Sequence, residues 1–125
     1  MGGRWRDGTG VLAVRTPADG AGAGAGIPVE IAASYRARTR GLLGRDGIAG
    51  AMLLVPAASV HTFGMRFAID VAYLDRELRV LAVRTMRPGR LGLPRPRARY
   101  VLEAAAGALA GWGVAEGARV GVTAD

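Results

Sequence analysis

His61 is the sole histidine of the chain and lies in the run His61-Thr62-Phe63-Gly64-Met65-Arg66. Any mechanism that needs an imidazole must therefore use it. Alternation along an extended backbone puts His61, Phe63 and Met65 on one face and Val60 and Thr62 on the other. Two carboxylates, Asp70 and Glu103, interrupt apolar runs, and a carboxylate on a buried strand is costly unless it is paired. Arg40, Arg45, Arg66 and Arg87 are available partners. Three chemistries are open: arginine–carboxylate pairs that orient structure or ligand, acid–base hydrolysis by Asp70 or Glu103 with His61, or a divalent metal held by the same set. The three residues come from different segments, so their spacing does not choose among these. A serine nucleophile is poorly supported, because neither Ser34 nor Ser59 sits in a nucleophile elbow.

The elements that would position these residues are mostly short strands. Val11–Arg15 and Ile27–Ala32 read as the first two. Between them Thr16 to Gly26 reads as a loose hairpin loop, because the Gly-Ala run from Gly20 to Gly26 offers no side chains to pack. That run also lacks the Lys-Ser/Thr of a P-loop. Ser34 stands as an N-cap before a helix over Tyr35–Leu43, with Tyr35, Thr39 and Leu42 on one side and Gly44 as terminator. Ala51–Val55 is a buried strand stopped by Pro56. Ala68–Leu74 and Leu78–Thr85 form a hairpin around Asp75-Arg76-Glu77. Met86–Arg97 carries three prolines, two glycines and four arginines and reads as an irregular loop, either a lid or a rim. Ala98–Glu103, a short helix over Ala104–Trp112 and a strand over Ala118–Val122 complete the chain. Long helical crossovers are missing, which predicts a mainly antiparallel α+β domain of about seven strands, strongly curved or barrel-like, with two short helices. Residues 1–10 read as a flexible segment and 11–125 as a single domain.

At 125 residues, half of them hydrophobic and 22% charged, the chain can bury one core unaided. The absence of cysteine excludes disulfides, thiol catalysis and thiolate metal sites. No segment has the length or apolarity of a membrane span, and no apolar signal region follows Met1, so the expected location is the cytoplasm. All 17 basic residues are arginine, and the net charge is +7. An Ala-, Gly- and Arg-rich chain without lysine is what a GC-rich coding sequence produces, yet arginine also suits phosphate and carboxylate recognition. Arg36, Arg38 and Arg40, with Arg87, Arg90, Arg95 and Arg97, would form one anion-binding rim if the fold brought helix and loop together.

Four segments resemble the DUF192 family of small bacterial and archaeal proteins of unknown function. They are Val29–Ala32 with Arg40-Gly41-Leu42-Leu43-Gly44-Arg45; His61 to Asp70; the strand–turn–strand from Asp70 to Val80; and Ala98–Glu103 with Ala106-Gly107 and Gly113–Val120. The family often has Trp before the Met where this chain has Phe63-Gly64, and Asp where it has Ala118. The resemblance implies fold and important positions but no reaction. The resulting expectation is a non-catalytic binding or accessory module without cofactor or metal, for an anionic or polar small molecule, a saccharide or a protein segment. Its ligand-binding residues would be Arg45, His61, Phe63, Met65, Arg66, Asp70, Arg87, Tyr100 and Glu103. The alternatives are a hydrolase using Asp70 or Glu103 with His61, and electrostatic binding of nucleic acid.

Overall fold

A computed structural model describes residues 5–16 and 22–125. The strands are β1 (Gly8–Arg15), β2 (Gly22–Ala32), β3 (Ala51–Leu54), β4 (Ile69–Leu74), β5 (Val80–Met86), β6 (Tyr100–Ala105) and β7 (Arg119–Ala124); the helices are α1 (Tyr35–Arg40) and α2 (Ala108–Gly111). One seven-stranded sheet runs in the order β5-β4-β6-β3-β2-β1-β7. All neighbouring pairs are antiparallel except β2 with β3, which are parallel because the chain crosses over through α1 before entering β3. The sheet is thus mixed, as well as curled.

The two edge strands meet at one end. Val80 N–H donates to the Ala118 carbonyl at 2.8 Å and Val120 N–H to the Leu78 carbonyl at 3.0 Å, so the sheet curls into a half-barrel. Its concave face holds Leu12, Val29, Leu53, Leu74, Leu102 and, from α2, Leu109. The opposite face carries Met52, Ile69, Val71, Tyr73 and Val101 and is covered by Leu42, Val60 and Ala98 from the connecting segments. Every residue of β3 and β4 is consequently buried, since strands covered on both sides lose the apolar–polar alternation.

Several boundaries differ from the sequence reading. Gly22–Gly26 belongs to β2 rather than to a loop, with Gly24 opposite Val14; a ladder needs only backbone, so the lack of side chains does not prevent pairing. Gly26 has φ 71° beside a register shift between Leu12 and Val14, the conformation that a bulge there requires. Gly20 lies outside the described residues, as do residues 1–4 of the expected flexible segment, whereas β1 already begins at Gly8. Asp7 is held too, its carboxylate accepting from the Ser34 hydroxyl at 2.6 Å and from the N–H groups of Ala33 and Ser34. Ser34 caps α1 through a bond from Ala37 N–H. The helix stops at Arg40, however, because Gly41 turns to φ 46°, and Tyr35 is exposed rather than packed. α2 is shorter than expected because Ala104 and Ala105 remain in β6.

Met86–Arg97 is irregular, as expected, but it is fastened down. Fully buried Thr62 holds it: its hydroxyl donates to the Arg87 carbonyl at 2.6 Å and accepts from Arg90 N–H at 2.8 Å, while its own N–H donates to the Arg90 carbonyl at 2.8 Å. Gly92 N–H donates to the Val60 carbonyl and Arg95 N–H to that of Ala58. The 59–65 segment alternates in exposure as expected, but it forms only one bridge, His61 with Leu91, before turning at Gly64 (φ 77°).

Candidate functional site

Glu103 lies in the middle of the sheet, opposite Met52 on one side and Val71 on the other. Alternation directs its side chain to the face carrying Val71 and Val101, beneath the covering segments. It is 5% exposed, and no group among the described residues hydrogen-bonds its carboxyl. Burial alone pushes its pKa up to about 7, since removing a carboxylate from water penalises the charged form. The carboxyl reaches a crevice of about 90 Å³ lined also by Leu42, Leu54, Val60, His61 and Met65. His61 stacks on Phe63 at 5.1 Å, and its Nδ1 accepts from the Phe63 N–H at 3.3 Å.

Asp70 is not part of this crevice. It stands opposite Ala104, one position away from Glu103, so the two acids project from opposite faces of the sheet. Its carboxylate accepts from the Thr85 hydroxyl at 2.7 Å, from Gly107 N–H at 2.8 Å and from Leu109 N–H at 3.3 Å. Asp70 thereby supplies the cap that Gly107 lacks as the N-cap of α2. Neither acid has the arginine partner expected from sequence. Asp70 is satisfied by backbone and hydroxyl groups, and Glu103 has no hydrogen-bond partner among the described residues.

The remaining expected residues disperse. Arg45 makes a bidentate pair with Glu30 at 2.6 and 2.7 Å, which holds the Glu30 carboxyl below its ordinary range. Arg66 reaches Asp46 at 3.2 Å in an exposed pair. Tyr100 packs edge-on against Trp5. Of the expected set, only His61, Met65 and Glu103 share the crevice, and Phe63 sits outside it against the imidazole. Among the described residues no group of three His, Asp or Glu could hold a metal.

Arg87 lines a second and larger cavity, about 540 Å³, beneath the loop after β5. Arg84, Arg90 and Arg95 also line it, and no Asp or Glu does. The guanidinium of Arg95 lies 4.8 Å from the centroid of the buried Tyr73 ring, a cation–π arrangement. Its Nε is buried without a hydrogen-bond partner. The arginines of helix and loop do not form one rim: Arg38 and Arg40 border the Glu103 crevice, and Arg38 donates to the Ala33 and Pro56 carbonyls. Sequence reasoning missed Arg84 and Tyr73. Alternation along β5 was the available signal for Arg84, but Tyr73 enters only because the loop folds back over β4.

A curled mixed sheet with a covered convex face and two short helices defines an α+β half-barrel class. Within it, the chain belongs to the DUF192 family, described as "Uncharacterized ACR", whose model matches residues 16–122. It is 38% identical to a UPF0127 protein of Pyrococcus horikoshii over 80 residues, covering 60% of this chain and 70% of that protein. It is 36% identical to one from Pyrococcus abyssi over 84 residues, covering 63% and 72%. Two solved structures share the fold, each with a TM-score of 0.72. One is a protein of unknown function from Novosphingobium aromaticivorans (19% identity, covering 89% of this chain and 83% of that one). The other is a "putative transcription regulator" from Sinorhizobium meliloti (20% identity, covering 96% and 98%). Among the described residues no helix is long and apolar enough to cross a membrane.

Proposed function

We propose that the chain is a non-catalytic binding module for an anionic small molecule, received in the arginine cavity. One observation carries this reading: Arg84, Arg87, Arg90 and Arg95 line a single cavity that no carboxylate lines. A cavity lined by cations without a counter-charge favours an anion, and a phosphate or carboxylate would take charge-assisted hydrogen bonds from the guanidinium groups. The cavity volume is also in the range of small-molecule sites.

Calorimetric titration with inorganic phosphate and pyrophosphate at physiological salt tests the proposal. Saturable binding that is lost in Arg87→Gln/Arg90→Gln supports it. Absence of binding, or binding indifferent to those substitutions, overturns it.

A second reading, hydrolysis, keeps Glu103 and His61 but loses Asp70. It is favoured by the unpartnered Glu103 carboxyl in a crevice that His61 also lines, because an acid titrating near neutrality suits proton transfer. Turnover of nitrophenyl ester or glycoside substrates that Glu103→Gln abolishes is its test. Turnover that survives this substitution removes it.

A further inference from the structure

The antiparallel pairing of segments 60–62 and 90–92 controls where the side chains on and beside them go. His61 and Leu91 are direct antiparallel partners, so their side chains lie on the same side of the pair. Thr62 points inward and is fully buried, which turns His61 and Phe63 outward. Gly92 points inward as well: a Cβ there would lie 2.6 Å from the Tyr73 hydroxyl and 3.1 Å from the Val60 carbonyl oxygen. Leu91 and Leu93 are therefore thrown outward together. They are 66% and 76% exposed, and Phe63 is 51% exposed. Three of the five exposed large hydrophobic residues among the described ones thus gather on one surface.

That surface adjoins the arginine cavity. Leu91 and Leu93 line the same opening as Arg84, Arg87, Arg90 and Arg95, with no acidic residue between them. An aliphatic tip flanked by cations matches the boundary of an anionic bilayer, where apolar side chains enter the acyl region and basic ones meet phosphate. Arginine stems are long enough to hold the charge at headgroup level while the leucines go deeper. Nucleic acid would use the arginines, and Phe63 for stacking, but would leave the exposed Leu91 and Leu93 without a role.

We propose that the surface formed by Phe63, Leu91 and Leu93 with the arginines of the 84–95 cavity docks the protein peripherally on an anionic lipid bilayer. The inference rests on the anion-binding reading above, and it assigns the anion to lipid headgroups rather than to a free metabolite.

Co-sedimentation with vesicles of neutral phosphatidylcholine, and of phosphatidylcholine mixed with phosphatidylglycerol, tests it at physiological salt. The chain should sediment only with the anionic vesicles. Leu91→Ser/Leu93→Ser changes two exposed side chains, and urea denaturation of this variant reports whether its fold is intact. Its vesicle partitioning should fall at least about ten-fold, because insertion of even part of each leucine is lost. Arg87→Gln/Arg90→Gln should lose about five-fold per arginine. Phosphate binding without vesicle binding by the unchanged protein overturns the membrane inference and leaves the small-anion reading standing. Vesicle binding that requires the leucines, with no phosphate binding, supports docking and rejects the small-anion reading. Vesicle binding that is unchanged by the leucine substitutions, or displaced by a short oligonucleotide, overturns the docking surface.

Discussion

Glu103 makes a prediction whose sign and size both follow from its position. Its carboxyl titrates at about 7 in the folded chain against an ordinary value of 4.5, so between those limits the native state holds a proton that the unfolded state has released. Stability must fall as pH rises through this window, by about 1.4 kcal/mol per pH unit. The accumulated loss is about 3 kcal/mol, absent below the unfolded value and complete above the folded one. Glu103→Gln keeps the shape and removes the titration. Urea denaturation of both proteins from pH 4.5 to 8.5 isolates the effect, because every other ionisable group is common to the pair. The two should be similar at the acid end, apart from a constant offset for the amide. The Gln variant should then become the more stable one by up to about 3 kcal/mol, or roughly 10 °C in melting midpoint. Parallel stability curves across this range would refute the view that burial governs Glu103.

Other substitutions follow the same geometry. Asp70→Ala leaves the N–H groups of Gly107 and Leu109 without their acceptor and should cost about 3 kcal/mol in urea denaturation, with phosphate affinity unchanged. Gly92→Ala must displace the loop from Tyr73; a loss of about 1–3 kcal/mol should accompany weakened phosphate binding. Arg66→Ala breaks only an exposed pair with Asp46, and a change in unfolding free energy above about 1 kcal/mol would contradict that placement.

Strands with strong apolar runs were legible in the sequence. Ala51–Leu54 is bounded by Pro56, the β4–β5 hairpin turns at Asp75-Arg76-Glu77, and Ser34 marks the start of α1. Alternation also sorted Ile69, Val71 and Tyr73 correctly from Asp70, Ala72 and Leu74. It did not extend to the relation between Asp70 and Glu103. Which faces they share depends on the register Val71↔Glu103, and register is a property of two strands together. The Gly22–Gly26 stretch was illegible for another reason: backbone pairing leaves no trace in side-chain pattern. The arginine cavity was visible only in part, because the loop supplies Arg87, Arg90 and Arg95 locally whereas Arg84 and Tyr73 come from the hairpin it covers.

Thr62 has a consequence for affinity. Because its backbone and hydroxyl already tie Arg87 and Arg90 to the body of the protein, the conformational entropy of this proline- and glycine-containing segment is surrendered during folding. A ligand arriving at the arginines meets a preorganised backbone and need restrict only side chains, about 0.5–1.5 kcal/mol for each one immobilised. Thr62→Val would return that backbone entropy to the unbound state. Affinity would then weaken although no group that touches the ligand had changed, and faster amide exchange at Arg90 and Gly92 would locate the cause.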